Sequence, residues 1–532
     1  MRNFNRFRRH RAVSLLAGLL ALAAALTACT SSSAGSAGSA GSASTTAPGS
    51  VALRHGGTLR VGIVSLSSAD ALDPAMASTE GGYATATQLF DTLDEYGTTG
   101  KVTMRLAQSI AAQGSAKTWI VTLRKAKWSN GKPVTAADLI YTIKRILDPK
   151  NPLPPASSIP FISLNGMTAI NSRTVKFELK YPTVDFVDAF TSPTMSIVPQ
   201  GFNPKKPIGS GPFVLASDDP GTEIVFTANK YYWNAPQPYV QKLELISFPN
   251  STAQVNALTG GQIDAASSID PSLVRVVKAA GSGYFVYAYP TTSTLTWQMN
   301  VSTPPFNNPL VRQALRLAVD REQLVSLVYD GYATVGNDIF SPADEGYNKT
   351  LPQRSQDIAK AKQLLAQAGY PHGLTVQLTA APIYPTANLQ NEVLVQQAKA
   401  AGFNIEFRQV DEATYYGSGY GTYPLSLSFW GDLSIFDQAA FTIVKGAPYN
   451  ATHWQDSAYD ALYDQAVRTV GSAARIALVH KMQQIEYDSG AYVVADFMDN
   501  ITAYRSDVGG QQPYPNTDGA SGYYFASMGF KS

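Results

Sequence analysis

Phe429-Trp430-Gly431-Asp432 sets an indole and a carboxylate around a glycine. That trio suits solute binding: the ring is an apolar wall and the carboxylate a charge-assisted partner for a cation. Trp297 offers a second indole, and Ser67-Ser68 offer hydroxyls of a type that also forms turns. Nucleophilic and metal chemistry have little to work with. His55, His372, His453 and His480 fall without ligand spacing, and a single cysteine, Cys29, excludes an intrachain disulfide and a cysteine-cluster metal site. No His-Glu-x-x-His, Gly-x-Ser-x-Gly or phosphate-loop pattern occurs. Gly417-Ser418-Gly419-Tyr420-Gly421 is glycine-rich but no helix signal follows it. Binding without a cofactor or metal is the expectation, and catalysis is not.

Those side chains need elements to hold them. Leu425–Trp430 reads as a strand, and the loop 431–437 leaves its carboxyl end, where ligands collect in open α/β sheets. Ile208 to Tyr239 reads as an antiparallel hairpin. Phe213-Val214-Leu215 is one arm and Asp218-Asp219-Pro220-Gly221 the turn, while Ile224, Phe226 and Ala228 lie on one face of the other arm. Thr135 and Asp138 form an acidic variant of the capping box before a helix carrying Leu139, Ile143 and Ile146. Asn308 and Pro309 open another helix, and Asp320 caps the one after it, which stops at Gly331. Arg312 and Arg321 on that pair are read as tying down carboxylates. From Ser355 to Val410, helices alternate with strands (Thr375–Thr379, Ile405–Val410), which predicts a mostly parallel sheet with covering helices. Strands at Tyr492–Phe497 and Thr502–Arg505 then return the chain to its first half.

At 532 residues the chain needs two or three cores. Five arginines and no acid lie in residues 1–28, so the formal charge of +2 becomes −3 for the remainder, which argues against nucleic acid as a partner. Residues 1–28 read as a secretory signal, with a basic segment to Arg11 and an apolar run too short and too interrupted to span a membrane. Leu26-Thr27-Ala28-Cys29 resembles a bacterial lipobox, in which the cysteine is lipidated. Residues 30–50 are almost wholly Ser, Gly, Ala and Thr and form a flexible tether.

Gly209, Gly211, Pro212 and Phe213, followed by Asn229, Tyr232 and Trp233, resemble a motif of the bacterial extracellular solute-binding proteins, family 5. The resemblance returns at Gly56–Ile63, at Trp119–Leu147, at Gly260–Ala265, at Pro305-Phe306 with Val311-Arg312-Gln313-Ala314, and at Lys362 to Pro371. It implies an α/β, two-lobed, hinge-closing fold of the type II periplasmic-binding-protein kind with an extra subdomain. The implied division is 51–288 plus 494–532 for the first lobe (subdomain about 100–205) and 289–493 for the second. It further implies a lipid-anchored monomer on the extracytoplasmic face of the plasma membrane. Such a protein captures a peptide and hands it to ABC permease subunits. An oligosaccharide stacked on cleft tryptophans is the alternative within the family, and a surface-anchored hydrolase the alternative outside it. In peptide-binding members a similar Trp-x-x-Asp places an aspartate against the peptide's ammonium. Here Asp432 follows Trp430 by two residues, not three. Trp430, Gly431, Asp432, Trp297, Ser67 and Ser68 are the cleft candidates.

Overall fold

Strand Thr58–Val64 follows the pair Gly56-Gly57 and carries Leu59, Val61 and Ile63 fully buried on one face, the period of two that a pleated strand imposes. It comes from a computed structural model that describes residues 51–64, 66, 72–417, 419–431, 433–517 and 519–532. The signal, Cys29, the tether, Ser67, Ser68 and Asp432 lie outside the described residues. Thr58–Val64 runs parallel to Lys242–Phe248 and to Ala265–Ala266. The first-lobe sheet continues through the hairpin at one end and through Asp496–Arg505 and Tyr284–Pro290 at the other. In the hairpin, Phe213–Asp219 and Glu223–Ala228 pair antiparallel. Pro220 and Gly221 occupy the turn, with Gly221 at φ +78° and Thr222 N–H donating to Asp219 O at 3.0 Å.

A four-stranded antiparallel sheet, ordered Ala107–Gln113, Thr118–Leu123, Thr174–Leu179, Ile162–Asn171, forms the subdomain. Helix Ala136–Ile146 covers it, and the Thr135 N–H donates to the Asp138 carboxylate at 2.9 Å as the capping pattern requires. Trp119, Phe177, Phe186 and Phe190 give this subdomain a core of its own.

The second-lobe sheet is ordered Phe403–Gln409, Leu374–Ala380, Leu425–Trp430, Thr294–Met299, Tyr492–Val494. Its first three strands are mutually parallel, but Thr294–Met299 is antiparallel to both neighbours, so the sheet is mixed where the helix-strand alternation suggested parallel order. Thr294–Met299 is buried at every residue, as an inner strand covered on both faces must be. Helices Pro309–Ala318 and Arg321–Tyr329, capped by Asn308 and Asp320, share the core of this lobe. Arg321 binds the Asp338 carboxylate, whereas Arg312 donates to the carbonyls of Phe306 and Ser489 and to no carboxylate.

Two connections join the sheets. Tyr284–Pro290 passes through Thr291–Ser293 into Thr294–Met299, and Tyr492–Val494 passes through Ala495 into Asp496–Arg505. The sequence pattern joins Tyr492 to Phe497 in one strand; the chain changes sheet at Ala495 instead. The connections are bonded to each other, with Met498 N–H donating to Ser293 O at 2.8 Å and Thr291 Oγ1 to Met498 O at 2.7 Å.

Candidate functional site

Between the lobes lies a cavity of about 410 Å³ to which both contribute. The first lobe supplies Tyr83, Tyr96, Asp188, Ser192 and Tyr523; the second supplies Phe429, Gly431, Leu433, Asp437 and Phe441. The lobes meet around it. Val184 N–H donates to Val467 O at 2.7 Å across the gap. The tip of the hairpin Asp94–Tyr96/Val102–Met104 reaches the other lobe at Gly100, where an added Cβ would lie 2.9 Å from the Ala343 carbonyl oxygen. Gly100 also has φ +75°, so the approach and the backbone both call for glycine. A second space of about 330 Å³ shares Ser158, Asp437 and Phe441 with the first, and a third of about 320 Å³ shares Tyr523.

The strand Leu425–Trp430 delivers the second-lobe wall at its carboxyl end. Phe429 and Gly431 line the cavity, and Phe429 stacks on Tyr384 with ring centres 5.6 Å apart. Pleating sends the intervening Trp430 to the other face, where its half-buried ring lies 6.4 Å from Tyr449. The aromatic side chain that this strand gives the cavity is therefore Phe429, not Trp430. Trp297 is corrected outright: it is 0 % exposed inside the second-lobe core, and its indole N–H donates to Asn391 Oδ1 at 2.8 Å. It presents no surface to a ligand, because both faces of its strand are covered.

Three aspartates that sequence reasoning passed over define the electrostatics. Asp188 is pushed well above the usual carboxylate range, by burial first and then by Asp437, Asp185 and Asp344, with Arg475 opposing. Asp437 is raised by burial, although Ser434 Oγ donates to it at 2.8 Å. Asp94 is raised by burial and by Asp188. Only Asp437 left a signal in the sequence: Ser434 and Asp437 have the spacing of a capping pair at the start of helix Ile435–Thr442, directly after the cleft strand. Asp94 and Asp188 come from distant stretches that only folding brings to the gap.

The chain holds further buried carboxylates, and these give a pH prediction. Asp185, Glu486, Asp496 and Asp499 are each pushed up to about 7, by burial first in every case. In the unfolded chain such groups titrate near ~4. Between roughly pH 4 and 7 the folded protein keeps protons that the unfolded chain has lost, so stability falls as pH rises through that window and levels off above it. The melting temperature is expected to be higher at about pH 5 than at about pH 8. A flat or rising profile across that window contradicts it. Asp338 runs the other way, since Arg321, Arg316 and Arg354 outweigh its burial and hold its pKa down; its contribution is lost only in stronger acid.

Among the described residues no group of three or more His, Cys, Asp or Glu could hold a metal ion, and no helix is long and apolar enough to cross a membrane. His453 Nε2 is bonded to the Gly421 carbonyl at 2.7 Å.

Comparison with known proteins agrees with this architecture. Residues 101–451 match the family model described as bacterial extracellular solute-binding proteins, family 5 Middle. The periplasmic oligopeptide-binding protein OppA of Escherichia coli is 26% identical over 445 residues, covering 76% of this chain and 81% of its own. The probable deoxycholate-binding periplasmic protein YgiS of the same organism is 26% identical over 488 residues, covering 82% and 88%. Among solved structures, the ABC transporter-associated periplasmic binding protein DppA from Helicobacter pylori, in complex with peptide STSA, superposes with a TM-score of 0.75. It covers 90% of this chain and 99% of its own at 22% identity, which speaks for the fold.

Proposed function

The chain belongs to the bacterial extracellular solute-binding proteins, family 5, and from that membership we propose that it is the substrate-binding lipoprotein of an ABC import system, taking an oligopeptide or dipeptide. The observation that carries this reading is the cavity of about 410 Å³ with walls from both lobes. A solute held there touches both lobes at once, and only such contacts make ligand binding favour the closed arrangement. The working division is 51–288 with 494–532 against 289–493, hinged at the two bonded connections. Phe429 and Gly431 serve the ligand from the second lobe together with Asp432, and Ser67 and Ser68 serve it from the first. Permease subunits then read the closed form, which a single copy of the chain presents. Cys29 carries the lipid that keeps the protein at the outer face of the plasma membrane, and residues 30–50 give it reach. The named oligopeptide-binding relative and the peptide-bound neighbour support a peptide as cargo.

One preparation tests both halves. The protein is extracted with detergent from the membranes of its own host and analysed intact by mass spectrometry. The expected result is a lipid mass on the peptide that begins at Cys29 and a co-purified solute whose fragments show peptide bonds. Recovery from the medium with unmodified Cys29 contradicts the anchor. A solute that fragments as a sugar contradicts the peptide, and a host solute converted to product on incubation points to a hydrolase.

A further inference from the structure

Two of the three inter-lobe cavities have a one-sided charge. Asp188 and Asp437 line the cavity of about 410 Å³; Glu80, Asp270 and Asp499 line the adjoining one of about 320 Å³. No lysine, arginine or histidine lines either; Arg468 lines the space of about 330 Å³ on the other side of Asp437. The positions from 51 onward that lie outside the described residues are serine, alanine and aspartate, so none of them supplies a cation. Two nearby arginines already have partners in the protein. Arg105 pairs with Asp91 and Glu95 at 2.5 and 2.7 Å, and Arg475, the one cation opposing Asp188, donates to the Thr469 carbonyl at 3.4 Å.

Three of these carboxylates, Asp188, Asp270 and Asp499, are also short of hydrogen bonds. Among the described residues Asp188 accepts no hydrogen bond and makes no ion pair with its side chain. Asp270 and Asp499 feel burial and no partner. Behind Asp188 stands Asp94, 0 % exposed, with both carboxylate oxygens unpartnered. It lies two residues from Tyr96 on the strand Asp94–Tyr96, beneath the cavity wall and within electrostatic reach of Asp188. Burying a carboxylate without a partner costs several kcal/mol unless a counter-charge arrives. Here Asp188 belongs to the first lobe and Asp437 to the second, so closure brings like charges together. A cation between them would offset that repulsion, and the aromatic faces of Tyr83, Tyr96 and Phe429 suit its apolar stem.

We infer that the cleft selects peptides with a cationic side chain, lysine or arginine, seated between Asp188 and Asp437. This deepens the peptide reading given above and rests on it. Calorimetry on the full chain with four probes tests it: Ala-Lys-Ala, its Nε-acetyl form, Ala-Glu-Ala, and putrescine, a diamine without a carboxylate. Ala-Lys-Ala is expected to bind at least about tenfold more tightly than the acetylated and glutamate peptides, as loss of a desolvated charge pair requires. Asp188→Asn and Asp437→Asn should each remove most of that difference, with melting curves verifying that the variants fold. Equal affinity for all three peptides overturns the inference and leaves the peptide receptor standing. Putrescine bound while every peptide fails removes the peptide and keeps the cation site. No binding of any probe, or a lysine preference that survives both variants, overturns the inference.

Discussion

Asp338→Ala is expected to destabilise the protein by about 3–5 kcal/mol, the cost of stranding buried charge. Asp338 is 1 % exposed and takes two hydrogen bonds from Arg321 Nη2, at 2.8 and 2.9 Å. Arg354 Nε lies 2.6 Å and Arg316 Nε 3.7 Å from its other side. One carboxylate thus balances three guanidinium groups, two of them almost fully buried. Val494 N–H also donates to Asp338, at 3.1 Å, which ties the cluster to the last residue before the chain changes sheet. Loss of the carboxylate leaves three like charges in a dry site beside a hinge connection. Asp338→Asn keeps the shape and the backbone bond but not the charge, so it should recover little. Chemical denaturation of both variants is the measurement. A loss under about 1 kcal/mol in Asp338→Ala, the scale of an exposed pair, would show that the arginines find other partners.

Gly209→Ala is the second large effect, and it explains the motif around which the first lobe is arranged. A Cβ on Gly209 would fall on the carbonyl oxygen of Leu89, at the end of helix Glu80–Leu89. The same strand of backbone is bonded to that helix end, Gly211 N–H donating to Leu89 O at 3.0 Å. Asn229 Nδ2 holds the Gly211 carbonyl at 2.8 Å, so the segment cannot slide away. Overpacking against backbone costs about 1–3 kcal/mol and occasionally more, and with no flexible side chain to give way the upper end is expected. Gly221→Ala is the control: its positive φ is strained in the hairpin turn, but the turn is on the surface and the loss should be about 1 kcal/mol. Equal losses at the two positions would contradict the close-approach account.

Helix caps, the hairpin and the strand Leu425–Trp430 were legible because each writes its signal locally: Asn308, Asp320, Thr135 with Asp138, Pro220-Gly221, and a run ending before a glycine. The face of a buried strand was not. Thr294–Met299 is covered on both sides, so nothing in its alternation distinguishes Trp297 in the core from a tryptophan in a cleft. At Phe429-Trp430 both residues are apolar, and which of them faces the gap depends on register within the sheet. The carboxylate set is further from reach. Asp94, Asp188 and Asp437 meet through the apposition of two lobes, and each alone reads as an ordinary surface acid. Arg312 and Arg321 read alike, as arginines tying down carboxylates, yet only the fold shows that Arg312 holds carbonyls and that Arg321, with Arg316, shares Asp338.

Capture between two lobes is the central claim, and a distance across the gap tests it most directly. Tyr181 and Val470 are exposed on opposite sides, near the Val184–Val467 contact. Spin labels on Tyr181→Cys and Val470→Cys, in a chain with Cys29 replaced, report that distance by pulsed electron resonance. Ala-Lys-Ala is added, and native mass spectrometry of the same sample verifies that it is retained. The account predicts a broad, longer distribution without peptide and a shorter, narrower one with it. An unchanged distribution in a sample that retains the peptide would contradict capture by closure.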